Sequence, residues 1–298
     1  MCGIVGLFLK TEALQPDLGR LTNLMLREMR DRGPDSAGFA VYDQAGDRAK
    51  LTCLSKSGDT DWQSVVSRLS AQTGGDHQLE VLDDHALIST ASDGAVARNW
   101  LIDNVPEVTV LALGQSIELF KGVGDPENVA ARFGLAGRRG THAIAHTRMA
   151  TESAVTTAGS HPFSTGADTC LVHNGSLSNH NRLRERLRKN GETFQTENDS
   201  EVAAGYFAWR MRQGDSLETA VEHALDDLDG FYTFAIGTRD GFAVVRDPIA
   251  CKPAVIAETD DWVAMSSEFR AIAQLPGVDN AEIWEPAPAK VYSWSMAA

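Results

Sequence analysis

The sequence predicts an α+β fold, with layered sheets and helices outside them. Strand-like and helix-like stretches come in runs, several strands toward each end of the chain and helices between them, without a βαβα alternation. The 298 residues, 43% hydrophobic and 23% charged, suit a globular protein with a sizeable core. No apolar run of about 18 residues occurs, so no transmembrane helix is expected.

Taken in order, Gly3 to Phe8 reads as a buried strand that anchors the amino terminus. Pro16 and Asp17 look like a helix start, with Leu18, Leu21, Leu24 or Met25, and Met29 at helical spacing. Gly33-Pro34 ends that helix, because the residue before a proline avoids the α region. Arg32 to Ser36 forms a tight turn into a strand from Ala37 to Tyr42, and whether the turn also holds a loop beside the terminus stays open.

From about 47 to 135 the pattern weakens, and we read an elaboration within one domain spanning 2–298. Strands are predicted at Leu51 to Leu54, Val108 to Leu113 and Ile117 to Phe120, and helices at Trp62 to Leu69 and Pro126 to Phe133. Gly74-Gly75-Asp76 is the candidate flexible break.

The signals sharpen from His142. Ala143 to Met149 reads as a strand, and Ala150 to Ser160 as a polar stretch. A strand from Thr169 to His173 is expected to stop at Asn174-Gly175. Helices follow from Ser178, from Asp199 with its capping pattern, and over Leu217 to Leu228. Strands are then predicted at Gly230 to Ile236, Phe242 to Arg246, Ala254 to Ala257 and Val263 to Met265. A short helix at Glu268 to Leu275 and a strand at Val291 to Trp294 complete the chain.

The formal net charge of -14 argues against nucleic acid and against an anionic membrane surface. The amino terminus lacks the pattern of a signal peptide, so a cytoplasmic location is expected. Cys2, Cys53, Cys170 and Cys251 are too scattered for a disulfide framework or a zinc site. His142, His146 and His161 are read as core or turn histidines, and no metal is expected.

Several residues could carry chemistry. Were Met1 removed, Cys2 would hold a thiol and a free α-amine, groups with reference pKa values of about 8.5 and 7.7–8.0. A nucleophile served by its own terminal amine is one variant of the triad arrangement. Asn174 and Gly175 offer the donor types of an oxyanion hole, although Asn-Gly is also a common hairpin turn. Arg148 closes an apolar strand, where it needs a partner: a structural carboxylate or a substrate's. Asp199 is either a helix cap or the partner of a substrate ammonium.

Six motifs occur in order: Cys2-Gly-Ile-Val-Gly, Arg32-Gly-Pro-Asp-Ser, His146-Thr-Arg-Met-Ala-Thr, His161-Pro-Phe, His173-Asn-Gly and Asp199-Ser-Glu. Together with Arg246-Asp-Pro, Lys252-Pro and Ser266-Ser-Glu268, they resemble class II glutamine amidotransferases, the glutaminases with an amino-terminal nucleophile. The resemblance implies a four-layer αββα sandwich and hydrolysis of L-glutamine through a Cys2 thioester. It implies Asn174 and Gly175 as the oxyanion hole, with Arg148, Asp199 and His173 binding substrate. Arg32, Asp35 and Thr151 would support the adjoining loop. Met149, Glu152 and Ser153 depart from the aromatic, histidine and glycine that many relatives carry there.

The nearest likeness is to stand-alone glutaminase subunits of glutamate synthase-like and N-methylglutamate synthase complexes. That implies ammonia delivery to a synthase subunit. Flavin and iron–sulfur centres would reside on that partner, and no cofactor is expected on this chain. The long stretch between Gly38 and His146 is either a docking surface or a surface elaboration with no role. Hydrolysis of another γ-glutamyl amide, and a non-catalytic regulatory member, are the alternatives.

Overall fold

The computed structural model describes residues 2–150 and 154–296; the expectations placed on Met1, Thr151, Glu152 and Ser153 lie outside them. Strand β1 (Gly3–Leu9) leads through a 3-10 turn into α1 (Leu18–Glu28) and β2 (Ser36–Tyr42). Next come β3 (Ala49–Ser55), α2 (Trp62–Thr73), β4 (His77–Leu82), β5 (His85–Thr90), α3 (Gly94–Asn104) and β6 (Val108–Gly114). Then follow β7 (Ile117–Val123), α4 (Pro126–Arg132), β8 (His142–Arg148), β9 (Phe163–Gly166) and β10 (Thr169–Leu177). Three helices, α5 (His180–Lys189), α6 (Asp199–Arg212) and α7 (Leu217–Asp227), precede β11 (Gly230–Thr238) and β12 (Gly241–Arg246). The remainder holds β13 (Val255–Glu258), β14 (Trp262–Ser266), α8 (Phe269–Ile272), β15 (Glu282–Trp284) and β16 (Val291–Ser295).

Two sheets face each other: seven strands in the order β15-β13-β14-β1-β8-β2-β7 and five in the order β16-β12-β11-β10-β9. Successive residues of a strand point to opposite faces, and β1 uses both. Ile4 and Phe8 pack toward Val172, Phe242 and Val244 of the facing sheet. Val5, Leu7 and Leu9 pack on the other side with Leu18, Leu21 and Met25 of α1 and with α4 and α8. The far face of the five-stranded sheet is covered by α5, α6 and α7, through Leu183, Phe207 and Val221 among others. The result is four layers, αββα. A strand buried on both faces must be apolar along its length, which is why β1 was legible as an unbroken run.

The weakly patterned stretch contains a third sheet, β4-β5-β3-β6, covered on one face by α2 and α3. Here β4, β5 and α3 were not foreseen, nor were β9 and β15 elsewhere. Gly74 ends α2 with φ +66 and Gly75 follows at φ +85, so the expected break is the bend between α2 and β4. Although they fall within 47–135, β7 is the edge strand of the seven-stranded sheet and α4 packs on its outer face. Asp168 ties the regions together, its carboxylate accepting the N–H groups of Gln115, Ser116 and Ile117 at 2.8–3.0 Å.

Local readings shift in three further places. Pro16 lies inside the 3-10 turn, so α1 starts at Leu18. Helix α8 is only four residues long. Strand β10 does not stop at Asn174 but runs to Leu177, with Asn174 opposite Thr233 and Gly175 opposite Tyr232. The hairpin-turn reading of Asn-Gly is therefore wrong. Gly175 takes φ +144, and a Cβ there would come within 1.9 Å of the Phe231 carbonyl oxygen. No helix among the described residues is long and apolar enough to cross a membrane.

Candidate active site

Cys2 immediately precedes β1, the strand held between β8 and β14. The terminus is anchored on several sides. Ile4 N–H donates to Ser267 Oγ at 2.9 Å, and the Ile4 carbonyl accepts from Ser267 N–H at 3.1 Å. The Cys2 carbonyl accepts from Arg32 Nε at 3.0 Å and from Asn174 Nδ2 at 3.1 Å. Arg32 also pairs with Glu268 at 2.6 Å. The thiol is half-buried, with Sγ 3.8 Å from the Met149 carbonyl oxygen.

The Arg32 to Ser36 turn does reach the loop beside this terminus. Asp35 N–H donates to the Arg148 carbonyl at 3.1 Å, and Asp35 Oδ2 accepts from Ala150 N–H at 2.8 Å. At Gly33 a Cβ would stand 2.4 Å from the Thr147 carbonyl carbon, so two backbones meet where a side chain cannot fit.

Asn174 presents its amide to Cys2 because its other end is committed. His146 Nε2 lies 3.2 Å from both the His173 carbonyl and Asn174 Oδ1. Both partners are acceptors, so Nε2 carries the proton and the Asn174 amide nitrogen turns toward Cys2 and Ser267. Behind this pair the His146 and His161 rings stack at 4.0 Å, and His161 Nε2 and His173 Nδ1 each lie 2.9 Å from Ser200 Oγ. Burial lowers all three imidazoles: His146 to about 3, His173 to about 4, and His161 well below its ordinary value. They are neutral at pH 7 and act as fixed dipoles.

Asp199 is not the cap of α6. Asn198 takes that place, its side chain accepting from Ser200 N–H at 2.9 Å. The Asp199 carboxylate instead accepts from Leu177 N–H at 2.9 Å and lies 3.9 Å from His173 Nδ1. Arg148, 8% exposed at the end of β8, donates to the Ala154 carbonyl at 3.4 Å.

Cys2, Arg148, Asn174, Gly175 and Asp199 all line one cavity of about 590 Å³, as do Arg32 and His173. This is the size range of small-molecule sites. Its wall brings together a thiol, a side-chain amide, a cation and a carboxylate. Lys252, whose Nζ lies 4.9 Å from the centre of the Phe231 ring, completes the rim. Asp35 stands behind the wall, and Thr151 lies outside the described residues. A larger cavity of about 840 Å³ opens between the third sheet and α6, α7 and β16, but no cysteine or histidine is among its described lining residues.

Sequence reasoning missed Ser200 and Ser267, and left His146 and His161 as core or turn histidines. His161 lines the cavity, and His146 orients Asn174. The available signal was their position inside the ordered motifs, each beside a residue already singled out.

Comparison with known proteins gives concordant findings. A glutamine amidotransferase domain family matches residues 146–274. The chain is 53% identical over 296 residues to the glutamine amidotransferase-like protein GlxB of Rhizobium meliloti (strain 1021), covering 99% of this chain and 98% of that one. It is 28% identical over 236 residues to a glutamine–fructose-6-phosphate aminotransferase of Haemophilus influenzae, covering 79% of this chain but 26% of the relative. Among solved structures, the allosteric regulatory enzyme of purine biosynthesis superposes with a TM-score of 0.64 at 21% identity. That match covers 99% of this chain and 47% of the other, a likeness of fold.

Proposed function

Because this chain belongs to the class II glutamine amidotransferases, we propose that it hydrolyses L-glutamine to glutamate and ammonia with Cys2 as nucleophile, and that a separate synthase subunit receives the ammonia. The observation that carries this reading is the shared cavity of Cys2, Asn174, Gly175, Arg148 and Asp199. A free amino acid has a carboxylate for Arg148 to clamp and an ammonium for Asp199 to face. Its side-chain amide then lies toward the thiol.

Cys2 Sγ attacks the side-chain carbonyl carbon, and the developing oxyanion is stabilised by Asn174 Nδ2 and the Gly175 N–H. Each such donor is typically worth about 2.7–4 kcal/mol of barrier. The α-amine of Cys2, freed by loss of Met1, takes the thiol proton and passes it to the leaving ammonia. The carbon–nitrogen bond breaks and a thioester remains. Water, deprotonated by the same amine, attacks the thioester, glutamate leaves and the thiol is restored. The neighbouring histidines suit this division of labour, since an imidazole near 3 or 4 is a poor proton acceptor at pH 7.

A separate acceptor subunit is supported by the extent of the relative GlxB itself. GlxB matches this chain over 98% of its own length, whereas the aminotransferase carries the matching region as about a quarter of a longer chain. The partner would be glutamate synthase-like or an N-methylglutamate synthase subunit and would hold any flavin or iron–sulfur centre, with this subunit working in the cytoplasm as one domain.

Cys2→Ala should reduce glutamate release by about four orders of magnitude or more with an unchanged circular dichroism spectrum. Wild-type rates in that variant would overturn the mechanism. Intact-mass spectrometry should find Met1 absent from the active protein.

A further inference from the structure

We propose that Lys121 is a positioning residue for the glutamine site: its ammonium pins residues 158–162 against the seven-stranded sheet and so holds His161 and Arg148 in working geometry. The inference rests on the glutaminase reading above.

Lys121 sits in β7, 3% exposed, and its partners are carbonyls rather than carboxylates. Nζ donates to the carbonyl oxygens of Ala158 at 3.0 Å, Ser160 at 2.8 Å and Pro162 at 3.2 Å. That uses all three protons of an ammonium. The Phe163 ring lies 4.4 Å from the same nitrogen. Burying a cation is costly, and a lysine serving only as filler would be better replaced by methionine. Burial draws Lys121 down to about 7, Glu201 at the start of α6 favours its charge, and the three carbonyl acceptors call for the fully protonated form; His161 on the pinned segment is kept neutral by burial, with Lys121 adding to that.

A second feature holds the same segment. Gly38 of β2 lies opposite Lys121, and a Cβ on it would come within 2.2 Å of the His161 carbonyl oxygen and 2.5 Å of Lys121 Cβ. Here the segment rests directly on the sheet, where only a glycine leaves room. Two groups lining the glutamine cavity depend on this stretch, one within the pinned residues and one through a carbonyl four residues ahead of them. His161 bonds Ser200 Oγ beside Asp199, and Arg148 donates to the Ala154 carbonyl just upstream.

The test uses the full chain with Lys121→Met, which keeps the stem and loses the donors, and Lys121→Gln, which keeps two N–H donors. KM for glutamine should rise about tenfold in the Met variant and less in the Gln variant, the scale of a lost charged hydrogen bond, with kcat near wild type. Amide hydrogen exchange over 154–162 should quicken. Alkylation of Cys2 by iodoacetamide, which needs neither Arg148 nor Asp199, should keep its wild-type rate. Unchanged KM in both variants, or a loss confined to kcat with unchanged exchange, would overturn the proposal. If the Met variant fails to fold, the Gln variant decides by the same readouts. A wild-type protein that releases no glutamate would sink the glutaminase reading instead, leaving the exchange experiment to judge the pinning.

Discussion

Strands β1, β2 and β8 are buried at every position, whereas β4 at the rim of the third sheet holds only exposed and half-buried residues. The two-sheet body is covered on both sides of both sheets, so a slip of one residue would turn apolar side chains against the wrong neighbours. That constraint fixes where Cys2 and Arg148 emerge at strand ends and where Asn174 sits within β10. The third sheet has helices on one face and leaves Val81, Val96 and Ile102 about half exposed. The candidate site sits where register is over-determined, and the proposed docking surface lies where surfaces are freer.

Truncation in the two cores is the strongest way to break this contrast. Phe242→Ala, between the two sheets, should cost about 3–5 kcal/mol in urea unfolding and lower activity with it. Leu101→Ala, under the third sheet, should cost about 2–5 kcal/mol yet leave kcat for glutamate release unchanged at temperatures where the protein stays folded. Equal losses of kcat would mean the regions are not separable. At the site itself, Asn174→Ala should lower kcat by about 10²–10³ at temperatures where the protein stays folded.

A smaller effect separates the regions by pH. His142, His146 and His173, all in the body, are drawn by burial from 6.5 to about 4, 3 and 4. Between those values and 6.5 the unfolded chain binds more protons than the folded one, so stability falls as pH drops from about 6.5 toward 4. Urea midpoints at pH 7 and pH 5 should show the fall, and His142→Gln should flatten it. The smallest change in catalysis belongs to the third sheet's surface. Val81→Glu with Val96→Glu and Ile102→Glu should leave glutaminase kinetics intact while weakening co-purification with a synthase subunit; unchanged association would remove the docking idea. These point changes are sharper than deleting Asp76 to Asn104, which would strip β5 from beside β3 and α3 from the core beneath it.

The same contrast explains what was legible in the sequence. Strands buried on two faces show apolar runs, so β1, β2 and β12 could be read directly, and β8 through its apolar stretch Ala143 to Ala145. The helix α3 puts Val96 and Ile102 outward, which blurs its period, and β4 is short and half-buried, so both escaped notice. Asn174-Gly175 imitates a turn because dipeptide statistics are local, while the partner that keeps it extended, β11, arrives more than fifty residues later. Asp199 looked like a cap because the true cap, Asn198, is its neighbour. The site residues were named through ordered motifs, but the His146 bond that turns the Asn174 amide joins two strands and follows no spacing rule.

One consequence follows from the pairing of β1. Its residues 3–9 are synthesised long before residues 262–266 of β14, the strand on one flank. Ser267, which holds both Ile4 and the Asn174 amide, comes later still. Cys2 therefore leaves the ribosome long before the strand and serine that frame it. The surroundings of Cys2 can assemble only after residue 267 has been made.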